Sequence, residues 1–237
     1  MPPSLPLRGA LALILLSAGA VFAFAQDSGT EGQFLPEIDA FFKISPSNRI
    51  LALASGTEFL DSGGEDFEVG LFWDHRLNDR VSLRGGYRFK YSDPPEDPIK
   101  RESRVQLSAD MRFPIGFKLL ATDRNFVELR WIDGDPSQRY RNRLSLEREY
   151  IGLFGKAHTF VGAAEVFYDT RHHAWNRQEY TAAVQTLVSQ KLLVEVYYQR
   201  QEDSISSPRH VNAVGLTLQF FFDARKPPGG VVIGPSR

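Results

Sequence analysis

The chain has 237 residues, with 28 basic and 29 acidic side chains, 42% apolar and 12% aromatic residues, and no cysteine. Near-neutral charge gives no footing for nucleic acid, and the missing cysteine excludes disulfides, thiol catalysis and a lipidated N-terminal cysteine. Low mean hydropathy combined with many aromatic residues suits a polar-lined β-barrel with an aromatic girdle, and equally a β-sandwich.

The chain opens with Arg8, an apolar run from Ala10 to Phe24 and a small-x-small site, Ala23-Phe24-Ala25. This predicts a signal peptide over residues 1–25, cleaved between Ala25 and Gln26. At about 15 residues the run is shorter than the ~20 needed for a membrane span. Residues 26–33 show no pattern and are read as a flexible segment. Eleven strand-like segments follow, roughly 34–44, 49–57, 66–75, 80–91, 103–113, 117–131, 139–153, 159–169, 175–187, 191–201 and 210–222. No later run of ~18 apolar residues occurs, so no transmembrane helix is expected. The tail 223–237 contains Pro227-Pro228-Gly229-Gly230 and is read as flexible.

The segment Arg104–Phe113 shows the governing pattern. Val105, Leu107, Ala109, Met111 and Phe113 alternate with Arg104, Gln106, Ser108, Asp110 and Arg112, a period of two that gives a strand one apolar and one polar face. Many segments reach ~10 residues, the length of a tilted membrane-crossing strand. Leu77-Asn78-Asp79, Pro114-Ile115-Gly116 and Ser189-Gln190-Lys191 are tight connections. Ser92–Lys100, Asp133–Arg139, Thr170–Trp175 and Gln201–His210 are longer and polar. That asymmetry predicts an outer-membrane meander with its tight turns toward the periplasm. Bacterial single-chain barrels have even strand numbers, which favours twelve strands over ten, with the missing one near the N-terminus.

The expected fold is therefore all-β: a single antiparallel up-and-down transmembrane β-barrel of 10–12 strands over residues 34–222. Aromatic residues gather near strand ends (Trp73, Trp131, Tyr140, Tyr150, Tyr168, Tyr198), as in interfacial belts. The opposite face is densely charged. Arg84, Arg88, Asp110, Arg112 and Arg124 lie on it, followed by Glu128, Arg130, Arg141, Arg143 and Glu147, then Glu165, Arg177, Glu179 and Glu195. Mixed signs on adjacent strands predict a self-neutralising network in the lumen and argue against a charge-selective pore.

Four short motifs carry a resemblance. They are Arg124-Asn125-Phe126-Val127-Glu128-Leu129-Arg130, Arg141-Asn142-Arg143-Leu144, Glu165-Val166-Phe167-Tyr168-Asp169 and Asn176-Arg177-Gln178-Glu179. With these the chain, from Phe34 to Phe222, resembles the bacterial outer-membrane β-barrel family labelled domain of unknown function 2490. The resemblance implies an outer-membrane-type barrel with no established activity. Barrels of this class end in an aromatic residue that serves the assembly machinery. Phe220-Phe221-Phe222 fits that role, although residues 223–237 follow it.

Catalytic signals are sparse. His172-His173 sits beside Asp169 and Arg171, and His210 follows Ser204, Ser206 and Ser207, but no G-x-S-x-G signature occurs. The adjacent histidines point to opposite sides of an extended chain, so they do not form a metal pair. The expectation is a structural or small-solute transport or docking barrel in the outer membrane of a Gram-negative bacterium, not an enzyme and without a cofactor. Its partners would be outer-membrane lipids, lipopolysaccharide and the barrel-assembly machinery. The alternatives are an envelope lipid hydrolase or acyltransferase with a rim Ser–His site, and a soluble periplasmic β-sandwich.

Overall fold

The computed structural model describes residues 30–94, 98–152 and 157–224; the expected signal peptide with its Ala25–Gln26 cleavage site, and most of the tail, lie outside them. Eleven strands form among the described residues: β1 (Thr30–Lys43), β2 (Asn48–Phe59), β3 (Glu65–Arg76), β4 (Val81–Asp93), β5 (Lys100–Pro114), β6 (Leu119–Ile132), β7 (Asp135–Ile151), β8 (Ala157–Asp169), β9 (Ala174–Ser189), β10 (Leu192–Asp203) and β11 (His210–Asp223). Each pairs with its sequence neighbour, and β1 pairs with β11, so the sheet closes into one barrel. A two-sheet sandwich is excluded, because a closed sheet has no free edges and only one interior.

The favoured count of twelve is corrected to eleven. In a meander with an odd number of strands the first and last run in the same direction, and β1 does pair with β11 in parallel, from Thr30 opposite His210 to Lys43 opposite Asp223. Thr30–Gln33, expected to be unstructured, extend β1 instead of supplying a twelfth strand. The seam is held from both sides. Inside, the rings of Phe41 and Phe221 stack at 5.2 Å; outside, those of Phe42 and Phe222 stack at 5.1 Å. Phe41 and Phe221 belong to a buried cluster with Leu51, Leu53, Phe72 and Leu193. The lumen thus has an apolar side along the seam, which the charge-based reading did not foresee.

With eleven strands the two chain ends leave opposite rims. The C-terminal rim, where β11 finishes, carries the connections 44–47, 77–80, 115–118 and 190–191. The N-terminal rim carries, among the connections described throughout, 60–64, 133–134, 170–173 and 204–209. The expected contrast in loop length is weak. Asp133–Arg139 is no loop: Asp133 and Gly134 both have positive φ and form a two-residue turn, and β7 starts at Asp135. Asp-Gly between alternating strands is the sequence signal for such a turn.

Alternation sorts the side chains. On β5, Glu102, Arg104, Gln106 and Ser108 are buried inside, while Val105 and Leu107 are exposed outside. Leu71 and Leu107 are each 60% exposed and Trp73 is 61% exposed, so the outer wall is an apolar surface. Two glycines make room inside. A Cβ on Gly86 would overlap the Phe72 ring, and one on Gly215 would overlap the Tyr197 ring. The two aromatic side chains lie flat across neighbouring strands and fill the lumen there.

Candidate functional site

The lumen is the candidate site, because it gathers the charged faces of the strands. Its waist is built around Glu128 on β6, whose side chain has no exposed area. Glu128 Oε2 accepts from Arg139 Nε at 2.5 Å, directly opposite on β7, and Oε1 accepts from Arg141 at 2.9 Å and from Gln106 Nε2 at 2.5 Å. Arg141 also donates to Glu165 on β8 at 2.7 Å, and Arg143 reaches the second Glu165 oxygen at 3.3 Å. Burying carboxylates this deeply is tolerable only with such complete pairing.

A second cluster adjoins it. Arg130 donates to Glu102 at 2.5 Å and to Asp169 at 2.7 Å. Arg104 joins Glu102 at 2.8 Å to Glu68 at 3.1 Å, and Arg88 holds the other Glu68 oxygen at 3.0 Å. Lys90 pairs with Asp66. Toward the C-terminal rim, Asp74 is clamped by Arg49 at 2.6 Å and by Arg84 at 2.5 Å, and Asp110 accepts both arms of Arg124 at 2.7 Å. Arg177 meets Asp203 at 3.1 Å on the far wall. Guanidinium groups also lie over aromatic rings. Arg141 sits 4.6 Å from the Phe126 centroid and 4.9 Å from that of Phe167, so the rings fill space between the ion pairs.

The residues singled out from sequence divide into two groups. Arg84, Arg88, Asp110, Arg124, Glu128, Arg130, Arg141, Arg143, Glu165 and Arg177 take part in the ion pairs above. Arg112, Glu147, Glu179 and Glu195 have no ion pair among the described residues, although Glu195 accepts from Gln185 at 2.5 Å. Sequence reasoning missed Arg49, Glu68, Asp74, Glu102, Arg139 and Asp203. All but Arg49 occupy a polar-parity position, so parity carried along the whole strand finds them; Arg49 shares its side of β2 with the buried Leu51 and Leu53, which hides it.

The histidines scatter. His75 meets Asn48 at 2.8 Å and His158 meets Thr186 at 2.9 Å, both on the outer wall. His172 and Ser206 line one cavity of about 160 Å3 at the N-terminal rim, with Asp169 in its wall. The Asp169 carboxylate is engaged by Arg130 and by the Arg171 backbone N–H. No hydrogen bond joins Ser206 to His172 among the described residues. No group of three or more metal-ligating side chains occurs among them either.

A family model described as Protein of unknown function (DUF2490) matches residues 43–212. The chain belongs to this family. The match runs from the end of β1 to the start of β11, so the DUF2490 region includes the whole of the waist network. No curated protein matches the chain. A solved structure similar to this DUF2490 barrel is the beta domain of the Bordetella autotransporter Brka. Identity is 14% and the TM-score 0.46, with 74% of this chain and 83% of that chain covered.

Proposed function

We propose that the chain is an outer-membrane barrel that docks small solutes at its mouth and whose waist its own side chains close. Support for the membrane comes from the outer wall. Leu71, Trp73, Leu107 and Leu144 stand out from a closed barrel, and so apolar a surface, interrupted by the hydrogen-bonded group Asp123, Asn125 and Asn142, is unfavourable in water but matches lipid. Phe222 near the end of β11 is a terminal aromatic residue for the assembly machinery to read, and lipid and lipopolysaccharide are the surroundings. The observation that carries the closed waist is Glu128, with no exposed area and three donors converging on it from β5 and β7, and a barrel closed there leaves only its mouths open to a solute. An open pore would leave its lumenal carboxylates hydrated. The charges serve packing, and no catalytic chemistry is assigned to the protein.

Planar-bilayer recording with the purified full-length protein tests this. Silence across voltages is expected, and a steady open conductance would overturn the closed waist. A hydrolase reading rests on His172 and Ser206 sharing one cavity. A serine-reactive probe separates the two: no labelling is expected, and labelling of Ser206 that is lost in His172→Ala would favour the hydrolase.

A further inference from the structure

The C-terminal rim holds a cavity of about 170 Å3 beside the seam, with Phe41 and Phe221 on one wall and basic side chains on the other. We propose that this cavity binds a small polyvalent anion, namely a phosphate group, free or carried on a small organic moiety. The proposal deepens the docking reading and rests on it.

The charge balance is the first argument. Two carboxylates within the cavity are already engaged: Asp74 by Arg49 and Arg84, and Asp110 by both arms of Arg124. Lys43, Arg80 and Arg112 line the same cavity and have no ion pair among the described residues. The Arg76 side chain donates to the Pro46 carbonyl, at 3.3 Å, and makes no ion pair among the described residues. Among the lining residues one further carboxylate, Asp79, stands against these four cations; Asp79, Arg76 and Arg80 are all exposed, and Glu147, outside the lining, is a charge neighbour of Arg112. The cavity at the other rim is the control. Of its four arginines, Arg130, Arg139 and Arg177 each have their own carboxylate, in Glu102 with Asp169, Glu128 and Asp203 respectively, and one, Arg171, has no ion pair among the described residues and donates to the Asp135 carbonyl at 3.4 Å. Uncompensated cations converging on a half-enclosed space repel one another, and an anion seated among them removes that repulsion.

Geometry and size narrow the ligand. Guanidinium groups offer paired donors that match phosphate oxygens, and such charge-assisted bonds are the strong ones. The volume lies well below the roughly 300–1,000 Å3 of pockets for drug-sized ligands, which suits a single phosphate group. The Phe41 and Phe221 rings, stacked at 5.2 Å, give a fixed apolar wall that limits hydration of the bound group.

Calorimetric titration of inorganic phosphate into the folded full-length chain, in a phosphate-free detergent, tests the site. Saturable binding is expected, weakened about tenfold or more in the double variant Arg80→Gln, Arg112→Gln. Arg171→Gln at the other rim leaves it unchanged. No saturable binding to the wild-type chain, or equal affinity in the double variant, overturns the proposal. A second readout avoids dependence on the double variant's folding. Phosphate should slow labelling of Ser82→Cys in the same cavity by a negatively charged thiol reagent, and an unchanged rate overturns the proposal. Bicelles with and without phosphatidylglycerol separate the sources. Displacement of phosphate by phosphatidylglycerol alone supports the site with a lipid headgroup as its ligand, and no displacement supports it with a soluble one. Phosphate failing to bind while bilayers stay silent removes this site only, whereas a conducting wild-type barrel removes the docking reading whatever phosphate does.

Discussion

The waist and the C-terminal rim of the lumen use the same side chains to opposite effect. At the waist Glu128 and Glu165 are fully enclosed and each is met by two guanidinium groups, so charge is balanced locally and the side chains fill the space. At the rim Arg80 and Arg112 line a cavity and make no ion pair among the described residues, Arg112 having Glu147 only as a charge neighbour. A charged lumen is therefore not one property. Where strand register sets acid opposite base, as Glu128 opposite Arg139, charge becomes packing. Where register sets Arg112 opposite Thr122, charge is left over for a ligand.

The largest effect expected from breaking this contrast is at the waist. Glu128→Ala leaves Arg139 and Arg141 buried without a shared carboxylate and should cost about 3–5 kcal/mol, read by urea unfolding in detergent. Glu128→Gln keeps the shape and should cost less. Next comes the aromatic packing over glycine. Gly215→Ala drives a Cβ into the Tyr197 ring and should cost roughly 1–3 kcal/mol. Tyr197→Ala in the same chain should recover part of that loss, because it removes the overlap. The smallest effect is at the rim. Arg112→Gln breaks no ion pair and should change stability by no more than about 0.5 kcal/mol while weakening phosphate binding. A large loss of stability in that variant would mean that Arg112 belongs to the packed network after all.

Much of this was legible in the sequence. Period-two alternation located all eleven strands and put Val105 and Leu107 on the wall opposite Arg104 and Gln106, because strand parity is a local property of the chain. Pairing partners were less accessible. Mixed signs on adjacent strands do give the Glu128–Arg141 pair, but the residue directly opposite Glu128, Arg139, is set by the register that the Asp133-Gly134 turn imposes. The turn has its own signal, Asp-Gly between two alternating runs, which the polar residues after it mask. The closure was read through the even-number rule, while the real signal was a pair of aromatic doublets, Phe41-Phe42 and Phe221-Phe222, at matching positions of the first and last strands. Which charges remain unpaired is a long-range property. It depends on what faces Arg112 across the barrel, and no window of sequence contains that.

The chain has no cysteine, so single serine-to-cysteine changes report lumen access directly. Ser108 is buried inside at the waist, and Ser82 lines the rim cavity. In the folded barrel a water-soluble thiol reagent should label Ser82→Cys and leave Ser108→Cys protected. Labelling of both positions at equal rates would contradict a closed waist beneath an accessible rim.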